Sequence, residues 1–183
     1  IDEGGFLPGS ITQTTYFTGS NMAFRGASGN KTNFANVEIS GRLNLIGNTS
    51  NMFVNKNLAL NSGKVSDNGS TIYLVGNLDN YGTFESNAAT GGIDFCGTET
   101  EQYIIGVGTG TLGSVTINNP HKVFMYNDVR INNKLTLNAI MYADIYLLTL
   151  GENATVAGDL SATSMILLNG AQEDKGVKKI IPS

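Results

Sequence analysis

The chain has one cysteine, Cys96, in 183 residues, so no disulfide forms within it and no oxidised framework holds the fold. With that cysteine and a single histidine, His121, a zinc site of the usual Cys/His type cannot be assembled. Charged residues make up 14% of the sequence, against roughly 25% in an average globular protein. The net charge of −4 argues against a nucleic-acid groove, which needs a basic stripe. Only Lys175, Lys178 and Lys179 cluster. No apolar run approaches the ~20 residues needed to cross a bilayer as a helix; the longest, 145–150, is strand-sized. Helix signals are lacking too, since no long stretch keeps the apolar spacing of a helix free of glycine.

What is present is a short cadence. Hydrophobic residues are 40% of the chain, enough for a core, and there are 23 glycines. Apolar-x-apolar triplets recur: Val37-Glu38-Ile39, Leu43-Asn44-Leu45, Leu58-Ala59-Leu60, Ile72-Tyr73-Leu74, Ile93-Asp94-Phe95, Val115-Thr116-Ile117, Val129-Arg130-Ile131 and Leu135-Thr136-Leu137. Each sends two side chains to one face and one to the other. Gly and Asn separate them, residue types that tolerate the positive φ required at sharp corners. These strands are shorter than the five or six residues usual in a sandwich. Equivalent triplets return about every 20 residues, as from Val37 to Leu58 and from Val115 to Leu135, a period in the range of solenoid repeats. The period predicts an all-β, right-handed parallel β-helix of about nine coils, roughly 40 Å long at ~4.8 Å per coil. The alternative is an antiparallel β-sandwich, for which Asn68-Gly69 is the main local signal, as a hairpin turn.

A larger offset aligns Phe17-Thr18-Gly19 with Phe95-Cys96-Gly97, and 54–61 with 131–138. It implies two copies of a repeat, each of about 78 residues, within a solenoid over 21–170. Residues 1–20, with Pro8 and a Thr-rich run, read as a cap or linker. Residues 171–183 read as an exit segment, and the chain is expected to continue past Ser183.

The order of segments resembles repeats of large surface adhesin-like proteins of the Bacteroidota. The second copy carries Phe95-Cys96-Gly97, Gln102-Tyr103-Ile104-Ile105-Gly106, Val115-Thr116-Ile117-Asn118-Asn119, then residues 129–137 and Leu148-Thr149-Leu150-Gly151. Residues 76–84 are similar to that family's G-N-L-x-N-x-G-T-F coil, and Met165 to Gly170 to its exit from the helix. These motifs specify coils rather than chemistry. The resemblance implies a secreted or cell-surface protein, often of the type IX-secreted class, with adhesion or filament assembly as its role.

Few residues offer chemistry. His121 follows the turn signal Asn119-Pro120 and reads as a surface residue. Cys96 falls where the first copy has Thr18, which marks it as an interchangeable strand position. Gly91-Gly92-Ile93-Asp94 is a partial match to nonapeptide calcium repeats, and Glu99 and Glu101 alternate on one face; solvated carboxylates account for both. The sequons at Asn30, Asn48, Asn68 and Asn153 arise readily in an Asn- and Thr-rich chain. No catalytic, cofactor-binding or metal residue is assigned, and no enzyme is expected. The expected function is that of a structural or adhesive segment at the outer cell surface or outside the cell. Its partners would be surface glycans or other copies of the assembly, with no nucleic acid and no span of the membrane. The alternatives are a carbohydrate-binding module using exposed Tyr and Asn on one sheet, and a polysaccharide-degrading β-helix enzyme, which would need clustered carboxylates in a cleft.

Overall fold

The structure is a computed structural model that describes residues 12–26, 32–47, 50–86 and 90–182. The chain winds in coils of up to three short strands, one per face. The first coil is β1 (Thr14–Phe17), β2 (Met22–Phe24) and β3 (Thr32–Phe34); the second is β4 (Asn36–Ile39), β5 (Arg42–Leu45) and β6 (Met52–Val54). The third is β7 (Leu58–Leu60), β8 (Lys64–Ser66) and β9 (Thr71–Leu74); the fourth is β10 (Leu78–Asn80), β11 (Thr83–Glu85) and β12 (Gly92–Phe95). In the fifth and sixth coils, β13 (Gln102–Ile105) precedes β14 (Thr109–Ile117), and β15 (Val123–Met125) precedes β16 (Val129–Leu137). The seventh is β17 (Met141–Asp144), β18 (Leu148–Leu150) and β19 (Thr155–Gly158), followed by β20 (Ile166–Leu168) and β21 (Val177–Lys179). The described residues contain no helix.

Each strand pairs in parallel with its equivalent one coil away. The first face runs β1-β4-β7-β10-β13-β15-β17-β20. The second begins β2-β5-β8-β11 and the third β3-β6-β9-β12. The long strands β14 and β16 turn the corner between those two faces and join them into one sheet, with a register shift between Leu112 and Ser114. This is the parallel β-solenoid that the triplets and their period predict, not an antiparallel sandwich.

The triplets form strands because they bury their outer two residues. On the third face the inward position holds Phe34, Val54, Leu74, Phe95, Ile117 and Leu137 in successive coils, none more than 1% exposed. Every coil is buried only by its neighbours, as in other quasi-one-dimensional folds.

The eight strands of the first face make seven turns, fewer than the nine expected, and a stack about 34 Å long at ~4.8 Å per coil. The period of the triplets is near the lower limit of coil length. Leu78 pairs with Ile104 and Met141 with Ile166, both separations longer than that period, because some corners carry longer turns. Nor is the larger offset a whole number of coils. It carries Phe17 on the first face to Phe95 on the third, so the match follows the strand-and-turn cadence. The coils also extend beyond 21–170: β1 pairs with β4, and β21 pairs with β18. These end strands have one neighbour each. Pro8 and the rest of 1–11 lie outside the described residues.

Asn68-Gly69 makes a turn but not a hairpin. Both residues have positive φ, and the Ser70 N–H donates to the Asp67 carbonyl at 2.9 Å. The flanking β8 and β9 nevertheless diverge onto different faces, each drawn to its coil neighbours. The corner buries Asp67 completely. One carboxylate oxygen, Oδ1, accepts from the Gly69 N–H at 3.2 Å. The Ser86 hydroxyl approaches without completing a hydrogen bond, and Asp67 Oδ2 and Ser86 Oγ have no partner among the described residues. Loss of water holds this carboxyl above its ordinary value, with the Ser86 hydroxyl and the Gly69 N–H opposing in part. A raised pKa in the folded state means that ionisation disfavours folding. The stability Asp67 contributes is full below the ordinary carboxyl value of 3.8 and is lost as pH rises through the raised one. Asp67→Asn is therefore expected to raise the melting temperature at neutral pH and leave it nearly unchanged at acid pH. Melts across that range check this, and equal shifts at both ends would contradict it.

Candidate functional site

The corner between the third and first faces holds the most elaborate side-chain chemistry. The chain turns there through asparagine, and the asparagines form a ladder. Asn36 Oδ1 accepts from Asn57 N at 3.3 Å, Asn57 Oδ1 from Asn77 N at 2.9 Å, and Asn77 Oδ1 from Tyr103 N at 3.0 Å. Each amide carbonyl satisfies a main-chain donor of the next coil, which accounts for Asn36, Asn57 and Asn77 at this corner.

At Tyr103 the ladder changes character. The same outward position holds Tyr103, Phe124 and Tyr142 on β13, β15 and β17, then Leu167 on β20. Tyr103 and Phe124 pack with ring centroids 5.7 Å apart and tilted by 34°, and Phe124 meets Tyr142 edge-on at 5.1 Å. Tyr126 adds a fourth ring, 5.5 Å from Tyr103. Such pairs contribute about 0.5–1.5 kcal/mol each beyond area burial.

The turn between β12 and β13 spans 96–101, longer than the turns that precede it at this corner, and it raises a rim over the ladder. Gln102, 1% exposed, occupies an inward slot in register with Val123 and anchors this rim. Its Nε2 donates to the carbonyls of Leu74 and Gly76 at 2.9 and 2.5 Å, and its Oε1 accepts from Gly97 N and Asn119 Nδ2 at 3.0 and 3.1 Å. Buried Asn119 also donates to Thr100 O at 2.8 Å and accepts from His121 N at 2.7 Å. A buried amide with both ends satisfied is what a polar residue needs in a core slot. The sequence signal for Gln102 is its place in the Q-x-I pattern, where its polarity interrupts the inward series.

Between rim and ladder lies an open groove of about 690 Å³. Asn57, Asn77, Lys56, Glu99, Glu101, Tyr103 and His121 are among the residues that line it. The Tyr103 hydroxyl donates to Glu101 Oε2 at 2.7 Å. That bond to a carboxylate, followed by partial desolvation and the carboxylate's charge, holds the phenol above its ordinary pKa. Glu99 lies on the exposed rim, where its Oε1 accepts from Thr98 Oγ1 at 3.2 Å.

The structure therefore brings His121, Glu99 and Glu101 to one groove, and places Cys96 and Asp94 elsewhere; the sequons at Asn30 and Asn48 lie outside the described residues. Half-buried Cys96 directs its thiol to the Leu74 carbonyl at 3.6 Å. Asp94 is an outward residue of β12, and its Oδ1 accepts from Asn118 Nδ2, whose own Oδ1 accepts from Asn138 Nδ2. No three His, Cys, Asp or Glu among the described residues are grouped to hold a metal ion. No helix of the described residues is long and apolar enough to cross a membrane. No family model, curated protein or solved structure matches this chain.

Proposed function

We propose that the chain is a structural and adhesive segment of a secreted or cell-surface protein, without enzymatic activity of its own. It acts as an extended scaffold that presents side-chain ladders to a surface or to neighbouring subunits. The observation that carries this reading is the Asn-to-aromatic ladder on one outward face of an axial stack. A repeating scaffold holds like side chains at one coil spacing, which suits contact with an extended partner. The likeness to Bacteroidota surface repeats supports the same assignment. Beads coated with the chain should be retained under flow on glycan-coated or chain-coated glass, and not on albumin. Retention no better than albumin on both would sink the reading.

A second reading, a carbohydrate-binding module, is favoured by the Tyr103–Phe124–Tyr142 column beside a groove rich in amides and carboxylates. It requires no change of scaffold. A polysaccharide-degrading enzyme would instead release new reducing ends from uronic-acid polymers, and that assay separates it from both.

A further inference from the structure

The groove beside Tyr103 has the parts of a saccharide seat. The aromatic stack begins at Tyr103, whose neighbours Phe124 and Tyr126 follow it in the sequence and in the stack. One coil earlier the equivalent position holds Asn77, which is short and leaves the ring bordering the groove. The orientation of the asparagine amides is set by their ladder bonds. Because Asn57 Oδ1 and Asn77 Oδ1 each accept a backbone N–H, their Nδ2 groups are the ends left over. Neither Nδ2 has a protein acceptor among the described residues, and both residues line the groove.

We infer that this groove binds a pyranose unit of a neutral glycan. The ring of Tyr103 packs on the C–H face of the sugar. Asn57 Nδ2 and Asn77 Nδ2 donate to its hydroxyls, and the carboxylates of Glu99 and Glu101 accept from them. An apolar platform with a few convergent polar groups is the general form of a small-ligand site. Charge selects within the class. Two carboxylates against the single ammonium of Lys56 disfavour a uronate or sulfated sugar. The aromatic wall and the paired donor and acceptor groups favour a hydroxylated ring. The Tyr103–Glu101 bond fixes the platform, and the Gln102–Asn119 network fixes the rim, so little ordering is left to binding. This inference rests on the glycan-contact reading above and names its seat and ligand class.

Titration calorimetry on the whole chain tests it, with hexamers of β-linked glucose, β-linked N-acetylglucosamine and mannose as neutral probes and oligogalacturonate as the anionic one. At least one neutral hexamer should bind, and more tightly than oligogalacturonate. Tyr103→Ala should weaken that binding about tenfold or more, as truncating a central aromatic anchor does. Tyr103→Phe keeps the ring but frees it from Glu101, so it should bind more weakly than wild type and more tightly than Tyr103→Ala. Asn77→Asp keeps the acceptor for Tyr103 N but loses the donor, and should weaken binding with melting behaviour unchanged. Tyr16→Ala, distant on the same face, should change nothing. Failure of all neutral hexamers to bind, tighter binding of oligogalacturonate, or indifference to Tyr103→Ala would each overturn the site. If coated beads still hold to a surface in that case, the scaffold reading stands without this site.

Discussion

Gly63→Ala is expected to cost about 3 kcal/mol or more, or to prevent folding outright. Gly63 is buried at the corner between the first and second faces, and its φ lies outside the positive region that favours glycine. The constraint is close approach. An added Cβ would overlap the Ile39 carbonyl oxygen and come within 2.6 Å of the Ile39 carbonyl carbon and 2.9 Å of Gly41 O. All three atoms are main chain of the coil beneath, and hydrogen bonds hold them: Asn61 N donates to Ile39 O at 2.9 Å and Lys64 N to Gly41 O at 2.8 Å. The clash cannot be relieved by rotating a side chain. Gly41 and Gly82 stand at the same corner in the adjacent coils, each pressed on the backbone below. A methyl group at Gly63 therefore separates two coils that bury each other, where the loss of one interface divides the stack. Urea unfolding followed by circular dichroism checks this. A loss below about 1 kcal/mol would show that the corner has slack the structure does not give it.

The second large effect is expected at Phe34. The first coil closes its interior with one phenylalanine from each face: Phe17 from β1, Phe24 from β2 and Phe34 from β3. Phe34, 0% exposed, meets the other two edge-on, with centroids 6.1 and 5.8 Å away. Phe34→Ala removes the shared member and leaves a cavity walled by rings that cannot collapse into it. The expected loss is about 3–5 kcal/mol. Phe34→Leu keeps much of the volume and should cost roughly 1.5 kcal/mol or less. The same urea titration reads both, and equal losses would mean that ring contacts rather than volume hold this end of the core.

Why the coils are legible in the sequence, and the groove less so, follows from the residues. Val54, Leu74 and Phe95 are buried for a local reason, the alternation of a strand, and that reason is written within a single triplet. The period overestimates the coil count because corner insertions such as 96–101 lengthen the chain without adding strands. Asn68-Gly69 is ambiguous because the same positive-φ pair serves a hairpin or a corner, and only pairing partners a full coil away decide between them. At the groove, Glu99, Glu101 and His121 each stand out as chemistry-bearing residues. Their convergence depends on the stacking of successive corners, and Lys56, Asn57 and Asn77 come from earlier coils. Gln102 sits in plain view within a motif, but a buried amide declares itself only when its four partners are placed around it.

Strands pair with equivalents one coil away rather than with their neighbours in sequence, and engineered disulfides test this most directly. Thr116 and Thr136 face each other across β14 and β16, at the ~4.8 Å spacing of paired strands, which lies within the Cα range a disulfide spans. In a Cys96→Ser background, Thr116→Cys with Thr136→Cys should oxidise to an intramolecular disulfide in the native protein. Lys64→Cys with Tyr73→Cys, which a hairpin through Asn68-Gly69 would set opposite each other, should remain as free thiols. Cross-linking of the second pair without the first would contradict the solenoid, and with it the ladder, the groove and the function drawn from them.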